Sequence, residues 1–167
     1  NRPRGPAVAS IARTDANPTT AASVDFTVTF SEPVVGVDTS DFAALAVGVS
    51  GASVTGVSGS DAVYTVTVNT GTGDGSLRLA VADDDSIATA GGLPLGGAGA
   101  GNGEYRFGPS YTIDRTPPAV VAIERLDPNP TAADRVAYRV RFSEDVSGVD
   151  LADFALTVFG LVGASID

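Results

Sequence analysis

The chain has 167 residues, 43% of them hydrophobic, and its ten basic residues, all arginine, stand against twenty Asp and Glu for a formal charge of −10. That acidity argues against a nucleic-acid partner, whose phosphates require a basic patch, and no run reaches the roughly eighteen apolar residues of a membrane-spanning helix. With no Cys, His, Lys, Met or Trp, disulfides, thiolate or imidazole metal sites and Ser-His or Cys-His catalysis cannot form.

In chain order, the apolar residues alternate with period two and no long stretch favours period 3.6, which predicts strands throughout. Asn1–Gly5 reads as a linker remnant, and the opening "NRPRGPAVAS" lacks the apolar centre of a secretory signal. The chain is therefore expected to be a mature piece or a fragment. A first strand is expected near Val8–Ile11. In the second, Val24, Phe26, Val28 and Phe30 face inward while Asp25, Thr27 and Thr29 face out. A short helical turn is expected at "DTSDF", followed by strands over Phe42–Val47 and Ala52–Val57 and one carrying Tyr64, Val66 and Val68. The stretch "GTGDGS", Gly71–Ser76, reads as a hairpin turn leading to a strand with Leu77, Leu79 and Val81 inside. A second helical turn is expected near "DDDSIA". Gly91–Gly103, with seven glycines in thirteen residues, reads as a loose loop or hairpin ending in an Asn102–Gly103 turn. A last strand places Phe107, Tyr111 and Ile113 inward. Seven strands with turn signals between them, in about 110 residues, predict an antiparallel β-sandwich of immunoglobulin type.

The chain also repeats itself. Pro6–Thr55 aligns without a gap on Pro118–Asp167, at a shift of 112 residues, with 26 identities in 50 pairs. "FSEPVVGVD" returns as "FSEDVSGVD" and "VDTSDFA" as "VDLADFA", so turns and core positions recur together. The expected organisation is a complete unit over 6–115, a proline linker over 116–118, and the N-terminal half of a second unit over 119–167. In that half, Val136, Tyr138, Val140 and Phe142 are expected inward, with Phe142 and Phe154 in the environments of Phe30 and Phe42. The consecutive Pro117 and Pro118 fix φ and favour an extended joint.

The strand motif "VTFSEPV", followed by "DTSDF", "YTVTV", "DDDSIATAGGLPL", "YTID" and a "TPP" joint, resembles bacterial Ig-like repeats, which occur in tandem in cell-surface, S-layer and adhesin-type proteins. The resemblance covers the whole chain and rests on strands and turns, without a catalytic signature. It implies an extracellular or cell-surface location and a structural role as stalk, spacer or fibre-forming unit, in some such repeats with calcium stiffening the joints. The alternative it implies is an adhesin-type binding module that recognises a glycan or protein through its loops. The joint "DRTPP" carries one aspartate and lacks the denser acidic linker of cadherin repeats.

Among chemistries only carboxylate work remains open, and it needs a paired Asp/Glu cleft, with aromatic platforms if the substrate is a sugar. The eleven Phe and Tyr residues mostly fall on inward strand positions, so no enzyme activity is expected. Two acidic groups are the candidate calcium ligands: Glu32, Asp38 and Asp41, which recur as Glu144, Asp150 and Asp153, and the run Asp83, Asp84 and Asp85, with Asp114 at the joint. The first group also suits capping of a helical turn, and the second lacks the alternating acids and glycine of a calcium loop. Half a sandwich leaves an inward face and a strand edge uncovered. The partners expected are therefore neighbouring repeats of the same chain or identical chains that complete the sheet.

Overall fold

A computed structural model describes residues 4–167. Residues 1–3 of the expected linker remnant lie outside the described residues. The chain divides into two compact units, the first ending at Arg115 and the second running from Thr116 to Asp167.

The first unit is all-β and antiparallel. Its strands are β1 (Val8–Arg13), β2 (Ser23–Phe30), β3 (Phe42–Val47), β4 (Ser53–Ser60), β5 (Val63–Asn69), β6 (Gly75–Val81) and β7 (Ser110–Ile113), with a single 3-10 turn at Thr39–Asp41 before β3. They form a four-stranded sheet in the order β1-β2-β5-β4 and a three-stranded sheet in the order β3-β6-β7. Both sheets feed one hydrophobic core.

The period-two pattern places the core. In β2, Val24, Phe26, Val28 and Phe30 are all buried while the residues between them stay partly open. Fully burying a Val or Phe side chain is worth roughly 1.5–3 kcal/mol, and a slip of one residue would turn the whole row to solvent. The register that keeps it in pairs Val24 with Val68, Phe26 with Val66 and Val28 with Tyr64. From the facing sheet Leu77, Leu79 and Val81 are buried, and Tyr111 meets Phe26 edge-on at a centroid distance of 5.0 Å. The Tyr111 hydroxyl accepts from the N–H groups of Thr14 (2.9 Å) and Asp15 (2.8 Å) and donates to the Asp25 carbonyl (2.7 Å). A buried phenol thus pairs its polar tip and links both sheets.

Several local expectations are corrected. Gly71–Ser76 is not a hairpin turn, because β5 is already flanked by β2 and β4 and the chain crosses to the other sheet to begin β6. No helical turn forms at "DDDSIA". Asp85 there has φ +70°, a left-handed conformation that a right-handed turn cannot contain. Phe107 does not point inward: it lies before β7 and is 85% exposed. Pro109 has no N–H to give a ladder, so the chain is interrupted between Tyr105, which bridges to Val81, and Ser110. Gly5 belongs to the packed unit, since a Cβ on it would strike the Pro94 carbonyl.

The second unit contains β8 (Val120–Arg125) paired with β9 (Tyr138–Phe142), and a 3-10 turn at Leu151–Asp153. Its details follow those of the first unit at the shift of 112. Val120 pairs with Phe142 as Val8 pairs with Phe30, and the register irregularity after Val8 returns after Val120. The Ala7 and Ala119 N–H groups donate to the hydroxyls of Ser31 and Ser143, each at 2.9 Å. Gly36 and Gly148 take φ of +82° and +78°. The expected burial does not follow: Val136 and Tyr138 are 49% and 53% exposed, where Val24 and Phe26 are 1% and 0% exposed. Phe142 and Phe154 are only half-buried, unlike Phe30 and Phe42. Residues 154–159, aligned with β3, form no strand. The reason is of one kind in both sheets: among the described residues no strand pairs with the second edge of β9, as β5 does with β2, and none pairs with residues 154–159, as β6 does with β3.

Candidate functional site

Five acidic residues of the first unit, Asp38, Asp41, Asp83, Asp84 and Asp85, lie at the 3-10 turn and in the segment after β6. Asp38 is the N-cap of the turn, its Oδ1 accepting from the Ser40 N–H (2.7 Å) and hydroxyl (2.5 Å). Asp41 closes the box from the other side, its Oδ2 accepting the Asp38 N–H at 2.7 Å. Its Oδ1 accepts the Ser86 hydroxyl at 2.6 Å. Asp41 is 2% exposed, and this burial raises its pKa above the usual carboxylate value. Asp38 and Asp84 go the other way. Hydrogen bonds from the Ser40 side chain and N–H lower the pKa of Asp38, and the nearby Ser86 side chain and the Ser86 N–H, donated to Asp84 Oδ1 at 3.0 Å, lower that of Asp84. Ser86 thus stands between the two acidic groups. No sequence reading singled it out, although the Asp84-x-Ser86 spacing of a side-chain-to-backbone turn could have done so.

Asp83 and Asp85 hold the glycine-rich loop. Asp83 Oδ2 accepts the Gly103 N–H at 2.8 Å, its Oδ1 the Asp85 N–H at 3.2 Å, and its carbonyl the Gly101 N–H at 2.9 Å. Asp85 Oδ2 accepts the Gly99 N–H at 3.0 Å. Leu95 is fully buried, with its N–H donated to the Ile87 carbonyl at 2.8 Å. The loop passes so close that a Cβ on Gly103 would lie 2.6 Å from Leu95 Cγ, which only glycine avoids. Gly91–Gly103 is therefore neither a loose loop nor a hairpin, but a strandless segment pinned by side chains from across the sandwich end.

The carboxylates of Asp38, Asp41, Asp83 and Asp85 each accept N–H or O–H donors of the protein. Glu32 is exposed just past β2, and Asp114 follows β7 with its N–H donated to the Thr19 carbonyl at 3.1 Å. Among the described residues no group of three or more acidic side chains is placed to hold a metal ion. In the second unit Asp150 and Asp153 rebuild the capping box, at 2.7 Å to the Ala152 N–H and 2.9 Å from the Asp150 N–H.

An open cleft of about 620 Å³ is lined in part by Thr20, Ala22, Asn69, Gly71, Thr72 and Arg115. Its one cation is committed to the fold: the Arg115 guanidinium donates to the carbonyls of Gly73 (2.9 Å) and Ala21 (3.1 Å) and to Thr70 Oγ1 (2.6 Å). Arg115 so ties the chain exit to the β5–β6 crossover.

The remaining candidate is the uncovered sheet of the second unit. Val136 and Tyr138 are exposed, as are Leu156, Val158 and Phe159 further along the chain. Compared with protein-family models, curated proteins and solved structures, the chain matches none of them.

Proposed function

We propose that this chain is a structural module: one complete unit and the first half of the next from a tandem array of Ig-like β-sandwich repeats in an extracellular surface protein, serving as stalk, spacer or fibre-forming unit. The observation that carries this reading is recurrence. Strand pairing, register irregularity, capping box and positive-φ glycine all return 112 residues later. A chain that duplicates its framework down to individual hydrogen bonds is built by adding units, as linear arrays are. The Ig-like part is supported by strand order. In chain order the four-stranded sheet β1-β2-β5-β4 corresponds to ABED, and the three-stranded sheet β3-β6-β7 to CFG. A structural role is further supported by how the polar side chains of the first unit are used, as caps, loop staples and sheet links.

Solution scattering on chains carrying one, two and three complete units tests this reading. A spacer adds a constant increment of maximum dimension per unit. Units that collapse onto one another, with no increment, contradict it.

A second reading, an adhesin-type module, is favoured by one observation: Phe107 is largely exposed and stacks edge-on with Tyr105 at 6.3 Å. Adhesion to a glycan or protein surface that is lost in Phe107→Ala, with the fold intact, supports it; adhesion that is absent or unchanged in the variant does not.

A further inference from the structure

The uncovered half-sandwich has a template for its own completion in the first unit. There, β2 is paired on one edge by β1 and on the other by β5. The direction of its backbone groups shows which edge is which. The Ser31 N–H donates to the Ala7 carbonyl, on the β1 side, whereas the Phe30 N–H donates to the Ala62 carbonyl, on the β5 side, each at 2.8 Å. In the second unit the Ser143 N–H likewise donates to the Ala119 carbonyl at 2.8 Å. Strand alternation then aims the N–H groups of Tyr138, Val140 and Phe142 at the edge of β9 where β5 lies in the first unit.

What fits that edge is constrained by charge. Thr27 and Thr29 of β2, whose neighbours across the ladder are Thr65 and Val63, are replaced in β9 by Arg139 and Arg141. An antiparallel pairing of two copies of β9 about Val140 would set Arg139 opposite Arg141, and like charges directly opposite destabilise a sheet. The apolar row, by contrast, keeps the chemistry of β2: Val136, Tyr138, Val140 and Phe142 stand where Val24, Phe26, Val28 and Phe30 meet Val68, Val66 and Tyr64. Residues 154–159 similarly await a strand like β6, which pairs with β3 along its length.

We infer that the β9 edge and the apolar face beside it are an interaction surface for one kind of partner, a polypeptide segment with the strand pattern of residues 56–113. Its β5-like strand is apolar where β5 has Tyr64, Val66 and Val68 and acidic where β5 has Thr65, so that Arg139 stands between it and Glu124, its neighbour on β8. The inference rests on the repeat reading above, and it adds the register, the edge and the charge of the partner strand.

The test appends a second copy of residues 56–117 after Asp167 of the full chain, in three versions: with Thr, Glu or Lys at the position equivalent to Thr65. Amide exchange at Tyr138, Val140 and Phe142 is read by NMR, with β2 of the same molecule as folding control. In the 167-residue chain these three amides are expected to exchange freely. In the extended chains with Thr or Glu they are expected to slow about 100-fold or more, with the second unit melting in the order Glu above Thr above Lys. Three outcomes overturn the inference: no slowing in any version, an order of melting that ignores charge, or slowing in the unextended chain that grows with its concentration, which would make the occupant a second copy. A failure here leaves the scattering increments of complete units unaffected, so the two readings fail separately.

Discussion

Replacing Asp83 with Ala tests whether the acidic run holds the glycine-rich loop. The change removes two carboxylate-to-amide hydrogen bonds, to Gly103 at 2.8 Å and Asp85 at 3.2 Å, from a side chain buried beneath that loop. Hydrogen bonds to a charged group are worth about 1.5–3 kcal/mol. The Asp85 bond is long and partly open to water, so about 2–3 kcal/mol is expected in total for the local opening of the loop. At tenfold per 1.4 kcal/mol this is roughly 30- to 140-fold faster exchange at the Gly103 amide. Hydrogen exchange by NMR reads it directly, with the amides of β2 as the control for global stability. Asp83→Asn, which retains one acceptor oxygen, should fall between. A chelator should leave the wild-type Gly103 amide unchanged, because the donors are backbone groups. Unchanged Gly103 exchange in Asp83→Ala, with β2 intact, would mean that Asp83 does not hold the loop.

Tyr111→Phe keeps the ring contact with Phe26 but strands the partners of a hydroxyl that makes three hydrogen bonds; a loss of about 2 kcal/mol is expected, read by urea unfolding followed by circular dichroism. Gly36→Ala places a Cβ against the Ser86 carbonyl at φ +82°, and a cost of about 1–2 kcal/mol is expected from the left-handed conformation alone, with the same assay. Carboxyl NMR titration should find Asp41 protonating above, and Asp38 and Asp84 below, the ordinary aspartate value. The signs for stability differ accordingly. Asp38 and Asp84 contribute stability that is present above the unfolded-state pKa and lost as pH falls through their folded values. Asp41 gains stability as pH falls from its raised folded value toward the unfolded one. In Asp41→Asn the high-pH penalty should disappear from the stability profile.

The legible parts of this fold are those decided by neighbours in sequence. Val24, Phe26, Val28 and Phe30 announce a strand with one buried face because period two is a local property. The box in Asp38–Asp41 is equally local: two carboxylates three residues apart can reach each other's backbone amides. What escaped depends on distant partners. "GTGDGS" has the composition of a turn, but whether the next strand pairs with β5 is decided by β2 and β4, which already occupy its edges. The loop Gly91–Gly103 looks loose because its anchors, Asp83, Asp85 and the Pro6 carbonyl that accepts the Gly96 N–H, lie outside it in sequence. Phe107 follows the odd-numbered phase of Tyr111 and Ile113, yet Pro109 breaks the strand between them, so the phase no longer determines the face. Of the candidate calcium residues, Asp38, Asp41, Asp83 and Asp85 serve as acceptors for the protein's own donors; the glycine amides among those donors carried no sequence signal of their own, and Ser86 only its spacing from Asp84.

Stretching a chain of several complete units, each residues 6–117 with its own proline joint, reads whether every unit folds by itself. If the chain is an array of self-contained repeats, force unfolds them one at a time. Each event then releases the same length, about 400 Å of contour at roughly 3.6 Å per residue less the folded span of a unit. Unequal steps, or one event for the whole chain, would contradict the account.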